Sequence, residues 1–124
     1  MLNFELFELP DFSFLFEIPG FQDMIVDSEK LREYLYSPET LFQSKIDHEV
    51  RKINEFCEEK VVEVLESLSF VSRKLLSDNI DTPLQNLIHS EVQQVASEIK
   101  HLEDYVAYNY IEFGRIVKDR DKKV

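Results

Sequence analysis

The chain has 124 residues, of which 44% are hydrophobic and 31% are charged, with only two glycines and four prolines. This length and composition predict one helix-rich globular domain over residues 1–124 and exclude a second hydrophobic core. The net charge of −11 disfavours binding to nucleic acid or to an anionic membrane surface. The single cysteine excludes an internal disulfide and favours a reducing compartment, so we expect a cytoplasmic protein.

Residues 1–36 form a phenylalanine-rich N-terminal segment that Pro10 and Pro19-Gly20 divide into short pieces. Six of the ten phenylalanines lie in the first 21 positions, and these side chains favour burial. We predict two short helices that form a hairpin and pack across the rest of the chain. The alternation of apolar and polar residues over 12–18 also allows a β-hairpin, but no partner strand follows and an isolated hairpin is marginally stable.

The N-terminal segment does not have the pattern of a secretory signal, because acidic residues interrupt it and no cation precedes Lys30. No uninterrupted apolar run approaches the roughly 20 residues needed to span a bilayer. We therefore expect no direct membrane insertion. A location at the cytosolic face of a membrane would depend on a protein partner.

A long amphipathic helix is predicted over residues 38–77, because apolar residues recur every three or four positions from Phe42 to Leu75. Ser37 followed by Pro38 is a favourable helix start. At about 1.5 Å per residue, this helix is near 55 Å long and must pack against other elements. Its opposite face is rich in glutamate, which we interpret as solvated surface rather than as a metal site.

A second long helix is predicted over residues 83–113, with Asp81 or Thr82 as its cap and Pro83 in its first turn. The short connection and the matched length favour an antiparallel pair that crosses at about 20°. Gly114 is expected to kink or break this helix, since glycine costs about 1 kcal/mol relative to alanine inside a helix. A basic C-terminal helix then follows.

Cationic side chains concentrate at that C-terminal end. From Arg115 onward the net charge is +3, so the preceding 114 residues carry −14. On a helix, Arg115, Lys118 and Lys122 stand at i, i+3 and i+7 and share one face within roughly 10 Å. This arrangement suits a compact ligand that bears several phosphates. The simpler interpretation is a solubilising or C-capping cluster that complements the helix dipole.

Residues with catalytic or metal-binding chemistry are scattered along the chain. His48, His89 and His101 lack the i, i+4 spacing of paired helical metal ligands. Cys57 falls on the apolar stripe of the first long helix and is expected to be a core residue rather than a nucleophile. We therefore expect no enzyme activity, no catalytic residues, no metal site and no cofactor.

Two motifs in this sequence resemble those of the SPX domain family. The first is Lys52-Ile53-Asn54-Glu55-Phe56, near the start of the first long helix. The second closes the other long helix, and its matching residues are Leu102, Tyr105, Asn109, Tyr110, Phe113, Arg115, Ile116, Lys118, Asp121 and Lys122. The resemblance implies an SPX-like bundle with its core in residues 37–124, preceded by a shortened and divergent hairpin in residues 1–36.

The family resemblance also implies a function. SPX domains are sensors of eukaryotic phosphate homeostasis that bind inositol polyphosphates or pyrophosphates and signal to a partner of the phosphate transport or polyphosphate machinery. The surface lysine cluster of the family falls on Arg115, Lys118 and Lys122 of this chain. The resemblance implies that the ligand of this cluster is an inositol polyphosphate, a pyrophosphate or phosphate itself. Arg32 and Arg120 are further candidates for neutralising phosphate.

This sequence departs from the family pattern next to the cationic cluster. The family has a lysine directly after Lys118, whereas Asp119 here reverses the charge and stands four residues after Arg115, within reach of an ion pair. Ile111-Glu112 replaces a Thr-Gly pair and adds another negative charge.

The N-terminal contribution to the family's pocket is also altered. The family supplies a tyrosine and a lysine four residues apart, and one register places Ile18 and Gln22 at these positions whereas a later register places Ser28 and Arg32 there. Neither register restores the tyrosine. A second hypothesis therefore stands beside the sensor: a degenerate SPX fold that acts as an interaction or assembly module, with the phenylalanine-rich N-terminus as its contact surface.

Overall fold

The computed structural model describes residues 12–18, 20–76 and 81–123. These ranges contain three α-helices, α1 (Ser28–Arg32), α2 (Glu39–Leu75) and α3 (Thr82–Lys123), and two 3₁₀ turns at Ser13–Phe16 and Gln22–Met24. They contain no strand, which confirms the all-α prediction. The first turn replaces the β-hairpin considered for residues 12–18. Residues 1–11 of the predicted hairpin and residues 77–80 of the predicted loop lie outside the described ranges.

The two long helices form an antiparallel pair, as the sequence predicts. α2 has 37 residues and α3 has 42, so they are about 55 and 63 Å long. Near the middle of the pair the rings of Phe56 and Tyr105 are 5.0 Å apart, and at one end Lys74 pairs with Glu91 at 2.8 Å. None of the helices in the described ranges is long and apolar enough to cross a membrane.

The start of α3 has the predicted cap. The side chain of Asp81 accepts a hydrogen bond from the backbone amide of Leu84 at 2.9 Å. This bond satisfies one of the amides that a helix leaves without a partner in its first turn. Pro83 follows inside that turn, where its missing N–H group has no consequence.

α3 continues through Gly114 to Lys123, so one helix replaces the predicted end at residue 113 and the separate basic helix. The cost of about 1 kcal/mol for a glycine inside a helix is offset by contacts of the following turns. The side chain of Ile116 is fully buried and that of Arg120 is almost so. The basic residues from Arg115 onward therefore belong to the last turns of α3 and not to a separate helix.

The described residues of the N-terminal segment pack across one side of the α2–α3 pair. The ring of Phe21 lies 5.2 Å from that of Phe56 and 5.5 Å from that of Tyr105, in edge-to-face geometry. Leu15 and Leu31 from this segment are fully buried. Their burial stabilises the fold by about 1.5–3 kcal/mol for each side chain.

Four polar side chains of the long helices hold the backbone of residues 24–27, and we call them the backbone clamp. Asn109 Oδ1 accepts from the amide of residue 26, and Glu49 Oε1 accepts from that of residue 27, both at 2.8 Å. Tyr105 Oη donates to the carbonyl of residue 24 at 2.5 Å, and Lys52 Nζ donates to that of residue 25 at 3.2 Å. Lys52 also pairs with Glu49 at 2.8 Å, which compensates the charge of this buried carboxylate.

Replacement of Asn109 by alanine tests the backbone clamp. It leaves the buried amide of Val26 without its acceptor and removes the bond from Asn109 Nδ2 to the carbonyl of Tyr105. We expect the free energy of unfolding, measured by urea denaturation, to fall by about 1–3 kcal/mol. Asn54→Ala is the control, because Asn54 is exposed on α2, and its effect should stay within about 0.5 kcal/mol. Equal stability of the two variants would contradict a structural role for the clamp.

Candidate anion-binding site

Three cationic side chains lie on one exposed face of α3. Arg115, Lys118 and Lys122 are all exposed, and helical geometry places them within an arc of about 60° and about 10 Å of axis. The guanidinium of Arg115 offers a planar fork of donors, whereas the two lysines offer compact charges on flexible chains. These three residues therefore share one face of α3, as their spacing in the sequence predicts. We call this surface the cationic face.

α1 lies beside this part of α3. Ser28 Oγ donates to Glu112 Oε2 at 3.0 Å, and Arg32 Nη1 contacts Asp119 Oδ2 at 2.5 Å. Of the two registers considered for the N-terminal segment, the structure thus brings Ser28 and Arg32 to the cationic face. Ile18 packs against the hydrophobic core instead.

Two acidic residues beside the cationic face, Glu112 and Asp119, each have a cationic partner. Asp119 pairs with Arg32 of α1, and Arg115 Nη1 contacts Glu112 Oε1 at 2.8 Å, whereas spacing alone favours a pair between Asp119 and Arg115. Both observed pairs are partly exposed, so each contributes little to stability. The cations of Arg32, Arg115, Lys118 and Lys122 outnumber these two carboxylates, so the six side chains together carry a net charge of +2.

Arg120 lies inside the fold and away from the cationic face. It is 6% exposed, and its Nη1 donates to the carbonyls of Leu35 at 2.5 Å and Ser37 at 2.6 Å. Its guanidinium also lies 4.9 Å from the ring centre of Phe42. Because these contacts hold the guanidinium inside the fold, we assign Arg120 to holding the connection between α1 and α2, and not to phosphate binding.

Tyr108 forms the boundary between the cationic face and the N-terminal segment. Its ring contacts Phe12 and Phe16 at 5.7 and 5.6 Å between ring centres. Burial raises the pKa of its phenol, with a further increase from Glu112 and an opposing effect of Arg115. Tyr108 is therefore a neutral, half-buried neighbour of the cations at physiological pH.

The residues considered for metal binding or catalysis do not converge. No group of three or more histidine, cysteine, aspartate or glutamate side chains in the described part of the chain could hold a metal ion. His48 and His89 are exposed on different helices, and His101 lies 6.4 Å from the ring of Phe21. Cys57 packs against the core, as predicted, and burial raises the pKa of its thiol.

The comparisons with known proteins agree with the motifs. This chain is 36% identical over 89 residues to the SPX and EXS domain-containing protein 1 of Dictyostelium discoideum. The alignment covers 68% of this chain and 10% of that protein, so the chain spans only a small part of the relative's length. No family model matches the chain, and no solved structure matches it significantly. The similarity supports an SPX-related module.

The assignment of Arg120 predicts a loss of stability on substitution. Arg120→Met keeps much of the apolar stem but leaves the carbonyls of Leu35 and Ser37 without their donor. Since hydrogen bonds to charged groups contribute about 1.5–3 kcal/mol, we expect urea denaturation to show a loss of about 2–4 kcal/mol. Arg51→Met is the matched control at an exposed position of α2 and should have little effect. A fully stable Arg120→Met variant would contradict this assignment.

Proposed function

We propose that this chain is an SPX-like sensor module that binds inositol polyphosphates or pyrophosphates on its cationic face. One observation supports the proposal: Arg115, Lys118 and Lys122 are exposed together within about 10 Å on α3, with Arg32 of α1 beside them. A ring that carries several phosphates can contact several of these cations at once. Each contact is a charge-assisted hydrogen bond, which is shorter and stronger than a neutral one.

In the proposed role the module binds its ligand and catalyses no reaction. The cations neutralise phosphate charge and transfer no group, so the module requires no enzyme activity, metal or cofactor. Phosphate status is then reported to a protein partner of the phosphate transport or polyphosphate machinery. We place this module in the cytoplasm, where such a partner can hold it at the cytosolic face of a membrane.

A second candidate function is an interaction or assembly module without a ligand. The contact between Arg32 and Asp119 favours it, because a carboxylate already occupies the guanidinium that a phosphate would need. Glu112 engages Arg115 in the same manner. Binding of a polyanion must displace these carboxylates, and Asp119 repels the phosphates at close range.

The sensor proposal predicts calorimetric binding of inositol hexakisphosphate to the wild-type chain with a micromolar dissociation constant. Arg115→Ala/Lys118→Ala/Lys122→Ala should weaken binding at least about 100-fold, a loss of roughly 2.7 kcal/mol. Affinity should also fall as salt increases, because the Debye length shrinks below about 10 Å.

A matched control variant removes three positive charges outside the cationic face. Arg51, Arg73 and Lys100 are exposed outside the cationic face, and their triple alanine variant should bind within about threefold of the wild type. Equal losses in both triple variants would indicate a response to net charge alone and would contradict a defined site. A folded wild-type chain that binds nothing would favour the second candidate.

Asp119 provides a separate test. Asp119→Asn removes a negative charge from the cationic face and releases Arg32 for phosphate, so we expect about tenfold tighter binding in the same titration, or roughly 1.4 kcal/mol. Asp121→Asn is the control, because it changes charge equally at an exposed position two residues away. An affinity gain of equal size in both variants would contradict a local role for Asp119.

A further inference from the structure

The α2–α3 pair carries a regular set of apolar side chains that remain half exposed. They are spaced seven residues apart, and they are Val61, Leu68 and Leu75 of α2 and Val92, Ile99 and Val106 of α3. Their exposed fractions lie between 38% and 54%. We call this set the heptad face. Seven-residue spacing is typical of a seam that packs against another helix, because it keeps successive side chains on one side.

The heptad face lies on the side of the helix pair opposite to the described residues of the N-terminal segment. At 100° per residue, Val61 is about 140° around α2 from Phe56, and Val106 is about 160° around α3 from Tyr108. Phe56 and Tyr108 are the residues that contact the N-terminal rings. Each stripe therefore points away from these rings, so both stripes lie on the same side of the helix pair and form one surface.

We propose that the heptad face packs against the heptad face of a second copy of this chain, which gives a symmetric dimer with a four-helix interface. In such a two-fold arrangement the same surface serves both partners, so it must be self-complementary. This proposal is independent of any ligand and adds an assembly state to the proposed sensor.

The size of the surface suits a stable dimer. Val50 is 37% exposed and lies only about 20° around α2 from Val61, so it extends the stripe of Val61, Leu68 and Leu75 to a length of about 38 Å. Two helices about 10 Å apart give a width of about 20 Å. The resulting area of about 760 Å² is close to the roughly 800 Å² that each partner contributes to a standard interface.

The charges around the heptad face also suit a second copy. Arg51 and Glu58 lie about 80° and 60° around α2 from Val61, and Glu103 lies about 60° around α3 from Val106, so the rim carries charges of both signs. A rim with both signs can form ion pairs with a second copy of itself. The heptad positions themselves carry no charge.

Most of the acidic charge of α2 lies elsewhere. By helical spacing four of its six exposed glutamates are about 120–160° around the helix from Val61, and these residues are Glu55, Glu59, Glu63 and Glu66. Two chains that each carry −11 would repel if these carboxylates met. Packing through the heptad face keeps them on the outer surfaces of the dimer.

Adjacent valines of α2 provide the test. Val61 belongs to the heptad face, whereas Val62 is 53% exposed and about 100° further around the helix. In sedimentation equilibrium at micromolar concentrations, we expect twice the mass of the chain for the wild type and for Val62→Glu. Val61→Glu should raise the dimer dissociation constant at least about 100-fold and approach the mass of one chain.

A second variant tests the same face from the other helix. Val106→Glu on α3 should dissociate the dimer as Val61→Glu does, and circular dichroism should show unchanged helix content in all three variants. A helical wild-type chain with the mass of one copy would overturn the proposal. Equal dissociation by Val61→Glu and Val62→Glu would also overturn it, because the effect would then not depend on the heptad face.

Discussion

The position of the N-terminal segment depends on the hydrogen-bonding requirement of four consecutive backbone units. Residues 24–27 cross one side of the helix pair, with Ile25 and Val26 buried, and a buried amide or carbonyl without a partner costs about 1–3 kcal/mol. Glu49 and Lys52 from α2 and Tyr105 and Asn109 from α3 satisfy these groups. Because the clamp fixes the point at which α1 begins, it also fixes where Ser28 and Arg32 lie against α3.

The residues of the SPX-like motif on α3 have two different roles. Tyr105, Asn109 and Ile116 of α3 face inward and are buried, whereas Arg115 and Lys118 face outward and are exposed. Burial also raises the pKa of the Tyr105 phenol, with smaller contributions from Cys57 and Glu49, so this residue remains a hydrogen-bond donor. One motif therefore combines residues that position the N-terminal segment with residues available to an anion.

Local sequence patterns predict those features of the fold that local interactions determine. Apolar spacing predicts both long helices and their antiparallel packing, and turn chemistry predicts the Asp81 cap. The passage of α3 through Gly114 could not be predicted, because contacts made by later turns outweigh the local preference of glycine. The contact of Arg32 with Asp119 and the burial of Arg120 depend on partners more than 80 positions away, which spacing on one helix does not reveal.

The cationic face and the heptad face occupy opposite sides of one helix. Arg115 is nine residues after Val106, which corresponds to about 180° around α3, and Lys122 is about 160° around from the same residue. In the proposed dimer both cationic faces therefore point outward, and neither is covered by the partner. A dimer of this kind would present two equivalent anion sites on a rigid frame, so that a partner with two acidic or phosphorylated contacts would gain avidity without any new contact within either site.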